Sequence, residues 1–163
     1  MIRDAIEGDS QAIAEIYNYY IENTAISFEE KAVSGNDIQS RIASVQDAGL
    51  PWLVAVEGDA VVGYAYGTKW KERSAYRFAV EASVYLSNQA HGRGLGVSLY
   101  ETLFSKLTEA GIKTVIGGIT LPNPASVALH EKMGMKKVAH FERVGFKFNQ
   151  WHDVGYWQLN GNA

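Results

Sequence analysis

The octet QAHGRGLG, residues 89–96, carries three glycines on alternate positions, directly after the strand-like run EASVYLS and directly before the helix-like run VSLYETLFSKLTEAG. This corner constrains the fold more than any other stretch. A strand that passes through glycine into a helix exposes the helix's first-turn amides, which have no helical partners and sit at the positive end of the peptide dipoles. Glycine lets the backbone turn tightly and lets an anion approach those amides without meeting a side chain. The spacing is not that of the dinucleotide fingerprint, which needs a third glycine three residues after the second. Nor is it a Walker loop, which needs a lysine followed by serine or threonine. What remains is either a sharp strand-to-helix connection or a phosphate cradle of another kind.

Periodicity places the corner within a domain. Ile13, Ile16, Tyr17, Tyr20 and Ile21 predict an amphipathic helix with Ser10 as its cap, and Ile38, Ile42 and Val45 predict a second helix that stops before Gly49 and Pro51. WLVAVEGDAVVGYAYG reads as a hairpin turning at Gly58 and Asp59. YRFAVEASVYLS alternates Phe78, Val80, Ala82, Val84 and Leu86 against Ala79, Glu81, Ser83, Tyr85 and Ser87, two opposite faces of one strand. After the corner, Leu95, Leu99, Leu103 and Leu107 recur every four residues to Gly111. KTVIGGI predicts a strand, NPASVALHEKMG a helix capped near Asn123, and MKKVAHFERVGFKF and DVGYWQL two closing strands. The expectation is a single mixed α/β domain over residues 1–163.

Other chemistries are narrowed by composition. There is no cysteine among the 163 residues, which excludes disulfides, thiolate metal sites and a cysteine nucleophile. A formal charge of -3 without a basic run argues against nucleic acid. No apolar run reaches the roughly 20 residues of a membrane helix, and the N-terminus lacks a signal-peptide pattern, so a cytoplasmic protein with no membrane partner is expected. His140 and His152 have no partners at metal-ligand spacing, and no metal is expected.

The corner and several separated segments together resemble a known family. His91-Gly92-Arg93-Gly94-Leu95-Gly96 aligns with the coenzyme loop of the GNAT superfamily of N-acetyltransferases, with His91 in place of the usual Gln or Arg. IYNYYIENTAISFEE, GYAYGTKW, YRFAVEASVYL, NPASVALHEKMGM and VGFKFNQWHDV are similar, in that order, to the phosphinothricin and methionine sulfoximine acetyltransferases within it. The resemblance implies the GNAT fold, of the α/β (α+β) class: a mixed central sheet of about seven strands flanked by about four helices, splayed between the fourth and fifth strands. It implies acetyl-CoA as co-substrate, held by backbone groups of residues 91–96, Val84 and Leu86, and by Asn123 and Ser126.

It also implies direct acetyl transfer, in a ternary complex, to the α-amino group of a small amino acid analogue such as phosphinothricin, methionine sulfoximine or methionine sulfone. Glu81 would be the base that takes the ammonium proton, and His130 the acid that protonates the departing thiolate. Phe28, Trp70, Arg73, Arg77 and Lys147 fall in segments similar to the subfamily's substrate side, where a guanidinium suits a carboxylate and aromatic walls suit the headgroup. A homodimer is implied as well. Two other readings stand beside this one: an acetyltransferase for a polyamine, an aminoglycoside or a protein N-terminus, and a CoA-binding module without chemistry.

Overall fold

The computed structural model describes residues 1–161; the last two positions of the expected 1–163 domain lie outside the described residues. Along the chain come β1 (Ile2–Asp4), α1 (Ser10–Asn23), α2 (Gly35–Asp47), β2 (Trp52–Glu57), β3 (Ala60–Lys69), β4 (Ala79–Leu86), α3 (Leu95–Glu109), β5 (Thr114–Leu121), α4 (Pro124–Lys132), β6 (Lys136–Lys147) and β7 (Gln150–Asn160). The seven strands form one sheet in the order β1-β2-β3-β4-β5-β7-β6. Every pairing is antiparallel except β4 with β5. Seven strands and four helices agree with the expected fold class.

Residues paired across neighbouring strands share a face, so the register sorts the core into two layers. Trp52, Tyr64 and Tyr66 stack together, and Tyr64 stacks on Tyr85. Tyr17 and Tyr20 of α1 pack their rings against Tyr85, which puts α1 on this face. The opposite face carries small residues. A Cβ at Gly63 would lie 3.3 Å from Leu99, and one at Gly67 3.3 Å from Leu107, so α3 sits close on bare backbone. The four-residue leucine repeat therefore predicts the buried seam correctly, and Leu99, Leu103 and Leu107 are sealed from solvent.

Three local expectations are corrected. Ser10 does not cap α1: it is the first helical residue, and its hydroxyl donates to Glu7 O at 2.9 Å. A 3-10 turn over Glu7–Asp9 precedes it, and Asp9 spends its carboxylate on Ile6 N–H and a two-pronged Arg3 pair instead. Phe78 does not join the inward face of β4, because residues 74–76 form a second 3-10 turn and Phe78 lies exposed under the Arg77 guanidinium. The helix after the corner begins at Leu95 rather than Val97. One predicted cap holds, Asn123 accepting from Ser126 N at 3.2 Å at α4; a reciprocal box of Ser34 and Asp37 at α2 is an addition that the structure shows.

The feature that makes a site is a failure of pairing. β4 and β5 pair at Ala79–Thr114, Val80–Val115 and Glu81–Ile116, and then part. Each strand keeps its other neighbour to its end, β4 with β3 through Leu86 and β5 with β7 through Leu121. A slot opens in mid-sheet, and Gly118 of the central strand β5 is exposed there.

Candidate active site

Antiparallel alternation decides which backbone groups line the slot. Ser87 N–H donates to Val62 O at 2.8 Å, so Ser87, Tyr85, Ser83 and Glu81 spend their amides on β3. Val84 and Leu86 turn theirs toward β5, where no strand meets them. The Leu86 carbonyl accepts from the Tyr20 hydroxyl, which leaves the Val84 groups and Leu86 N–H facing the gap.

At the mouth of the slot the glycine corner takes the form its spacing suggests. Gly92 and Gly94 hold φ of +80° and +74°, where glycine is the unstrained residue. Gly94 is the N-cap of α3, and the first helical bond runs from Ser98 N to Gly94 O. The amides of Leu95, Gly96 and Val97 thus have no helical partner. They face a cavity of about 250 Å³, which Tyr20, Val84, Leu86, His91, Asn123 and Ser126 also line. A Cβ on Gly92 or Gly94 would touch no protein atom, so the space in front of both is open, whereas one on Gly96 would come within 3.3 Å of Leu129 in α4. Gly96 is therefore glycine for helix packing, and its N–H serves the mouth. His91 Nε2 lies 3.1 Å from the Tyr20 hydroxyl. Because that hydroxyl's proton goes to Leu86 O, the imidazole is the donor to Tyr20. Arg93 extends away to an exposed pair with Glu57 at 2.9 Å, so of this residue only the backbone is at the mouth.

Glu81 stands at the inner end of the slot, half-buried, with no hydrogen-bond partner among the described side chains. Burial raises its pKa above the ordinary glutamate range, and the charge of Lys71 pulls weakly the other way. A Cβ on Gly118 would lie 3.5 Å from Glu81 Oε2 and 3.1 Å from Tyr156, so the bare backbone of Gly118 keeps open the space between that carboxylate and that ring. Trp70 meets Tyr156 edge-on. A small hollow over Gly118, bordered by one carboxylate and two aromatic rings, results.

His130 lines the slot from α4 and is nearly sealed from solvent. Its Nδ1 is 2.7 Å from Ser126 O, a carbonyl that can only accept, so Nδ1 carries the proton. Burial lowers its pKa below the ordinary imidazole range. In the neutral ring Nε2 is then a bare acceptor, 3.2 Å from the Tyr100 hydroxyl. The expected acid role requires Nε2 to gain a proton first. Gly117 makes room for the ring: a Cβ there would lie 2.6 Å from His130 Cδ2.

The expected acceptor-side residues divide. Trp70 is in the hollow beside Tyr156. Arg73 heads the 3-10 turn and Arg77 donates to Ser74 O at 3.0 Å while covering Phe78, both exposed. Phe28 packs the far edge of its ring against Gly145, beside His152. Lys147 corrects the expectation outright. It is 3% exposed, and its ammonium is taken by the Ile21 and Ser27 carbonyls at 2.7 Å each, so it does not face the hollow. Sequence reasoning missed Tyr20, Ile26 and Tyr100, which line the cavity or slot, and the paired glycines 117 and 118. GG in the middle of an apolar strand was the available signal, since such glycines mark close approach of another group. His140 bonds Asp153 and Lys137 at 2.8 Å each. Among the described residues no three His, Asp or Glu side chains cluster as a metal site, and no helix is long and apolar enough to cross a membrane.

Comparison with known proteins places this geometry in a family. The chain is 38% identical over 157 residues to a phosphinothricin N-acetyltransferase of Streptomyces viridochromogenes, covering 96% of this chain and 85% of the relative. It is 34% identical to an L-methionine sulfoximine/L-methionine sulfone acetyltransferase of Salmonella typhimurium, covering 97% and 92%. A crystal structure of a GNAT superfamily phosphinothricin acetyltransferase from Sinorhizobium meliloti in complex with acetyl-CoA superposes with a TM-score of 0.95 at 35% identity, over 99% of this chain and 88% of that one. The acetyltransferase (GNAT) domain family matches residues 2–155, and with a slot, a cradle of free amides and relatives of this kind, the chain belongs to the GNAT acetyltransferases and is an acyltransferase.

Proposed function

We propose that the chain, as one catalytic domain, transfers acetyl from acetyl-CoA to the α-amino group of a small amino acid analogue of the phosphinothricin, methionine sulfoximine or methionine sulfone kind. One observation carries the reading: free first-turn amides and a raised-pKa carboxylate occupy the two ends of a single slot between β4 and β5. The amides of residues 92–97 take the diphosphate, with His91 beside them. Val84, Leu86 N–H, Asn123 and Ser126 take the pantetheine arm along the slot. A strand amide near the thioester oxygen stabilises the charge that grows there as the amine attacks.

Glu81 removes the ammonium proton, directly or through water, and its raised pKa brings it closer to the amine it must deprotonate. The new C–N bond forms as the C–S bond breaks, and the thiolate takes a proton at the His130–Tyr100 end. For this Nε2 first takes one proton from solvent, against the burial that lowers its pKa; the bond to Tyr100 then reverses, the phenolic hydrogen passes to the thiolate, Tyr100 regains a proton from Nε2, and the ring returns to neutral. No cysteine is needed, consistent with direct transfer in a ternary complex. Trp70 supplies the acceptor wall together with Tyr156, and Arg73 and Arg77, exposed on the turn before β4, are the guanidinium groups at hand for a carboxylate; Phe28 packs on Gly145 instead.

The same reading includes a cytoplasmic homodimer. β6 is an edge strand of the sheet, and Val138, Phe141, Val144, Phe146, Phe148 and Trp151 on this hairpin are each more than half exposed. Exposed apolar side chains along an edge hairpin favour a second copy.

The test is thiol release from acetyl-CoA with methionine sulfoximine, methionine sulfone and phosphinothricin against spermidine, an aminoglycoside and a peptide amine, with calorimetry of CoA alone and sedimentation in parallel. The amino acid analogues are expected to turn over best, at twice the chain mass. Binding of CoA without thiol release from any amine would overturn the enzymatic reading.

A further inference from the structure

One cation in this fold is turned inward. Lys147 ends β6, and its Nζ donates 2.7 Å bonds to Ile21 O and Ser27 O. Among the described residues no carboxylate lies within ion-pair distance of it; Glu29 and Glu30 act on it only from farther away, while burial opposes its charge. Its stabilisation comes instead from main-chain dipoles. Ile21 is in the last turn of α1, where carbonyls lack helical partners and the helix dipole is negative. Ser27 belongs to the irregular strap that joins α1 to α2. One ammonium therefore ties together a helix end, the strap and the edge hairpin.

The surrounding contacts repeat that arrangement. The Phe28 ring occupies the space a Cβ of Gly145 would need, with ring carbons 2.3 Å from its position. His152 Nε2 is 3.1 Å from Lys147 O, and its ring faces Phe28. Farther along, Ser27 Oγ bonds Tyr17, and Glu29 takes a bidentate Arg41 pair at 2.7 and 2.9 Å. Between the two carbonyls that Lys147 holds sits Ile26, the strap residue that lines both the coenzyme cavity and the slot. A desolvated ammonium is a costly way to fill a core position, where an apolar side chain would serve stability as well. Its directed bonds to two separate carbonyls are what an apolar residue lacks.

We propose that Lys147 is a positioning residue for acyl transfer: by fixing both ends of the Ile21–Ser27 segment, its ammonium sets Ile26 over the junction of cavity and slot, where acceptor meets thioester. This rests on the acetyl-transfer reading above. A fixed Ile26 narrows the acceptor's approach and keeps water from the reacting centre.

Lys147→Met keeps the stem and removes the donors. Folding is verified by circular dichroism and thermal melting, and kinetics are measured with methionine sulfoximine and acetyl-CoA. The expected result is a rise of about tenfold to a hundredfold in acceptor KM, with acetyl-CoA Kd held within about twofold. Amide exchange should quicken at residues 22–28 and stay unchanged in α3. If Met does not fold, Lys147→Gln, whose amide still donates to one carbonyl, takes its place and should give the same split at smaller size. An unchanged acceptor KM in a folded variant, or equal losses for acceptor and coenzyme, would overturn the proposal. Unaltered exchange at residues 22–28 would do so too, and that measurement judges the clamp even if no amine proves to be a substrate.

Discussion

Replacing Glu81 with Gln removes the slot's only unpartnered carboxylate among the described side chains while keeping its shape, and it should act on rate, pH profile and stability in linked ways. A positioned general base is worth roughly 10²- to 10⁴-fold, which at 1.36 kcal/mol per decade is about 2.7 to 5.4 kcal/mol of barrier. kcat should fall by that factor. Acetyl-CoA affinity should not, since the cradle at residues 92–97 lies at the other end of the slot.

Wild-type kcat/KM should decline as pH falls through the raised Glu81 pKa, and this acid limb should vanish in the variant. Stability should move in the opposite sense to activity. A carboxyl whose pKa is higher folded than unfolded stabilises the fold while protonated, and that contribution is lost as pH rises through the folded value. Gln stays neutral throughout. The variant should therefore melt above wild type near pH 8, and the gap should close below about pH 4, under the unfolded glutamate pKa. Melting curves at both pH values and steady-state kinetics across the range provide the measurement. A folded variant with wild-type kcat, or one that retains the acid limb, would refute the assignment of the base.

Gly94→Asn separates backbone from ligand effects. Asn tolerates the left-handed conformation better than other side chains, so melting should shift by no more than about 1 kcal/mol equivalent. Calorimetric acetyl-CoA affinity should drop at least about tenfold because the new side chain enters the empty space before the amides. Gly117→Ala puts a methyl where His130 stands, 2.6 Å from its Cδ2. Overpacking of this kind costs about 1–3 kcal/mol, and displacing Nε2 from Tyr100 should lower kcat while leaving the Glu81 acid limb in place; a pH–rate profile distinguishes the two.

Most of the architecture could be read from periods and punctuation. Leucines every four residues, a Gly-Asp turn between β-branched runs, and Asn-Pro before a helix are local signals, and local physics decides them. The glycine corner belongs here too, since φ above zero and a helix N-terminus are consequences of adjacent residues. Ser10 escaped because a competing acceptor, Asp9, sits one residue earlier, at the end of a 3-10 turn, and pairs with Arg3 of β1.

What the chain alone determined, then, was the set of elements and a glycine corner with free first-turn amides, while the candidacy of Glu81 came from the family resemblance. Only the tertiary structure decided that β4 and β5 part after Glu81, that Gly117 and Gly118 are bare for the sake of His130 and Tyr156, and that Lys147 points inward. The reason is the reach of the interactions. Helix periods and turns act over a few residues, whereas the Lys147 ammonium meets carbonyls 120 and 126 positions away, and no pattern in sequence encodes which distant dipole a charge will find.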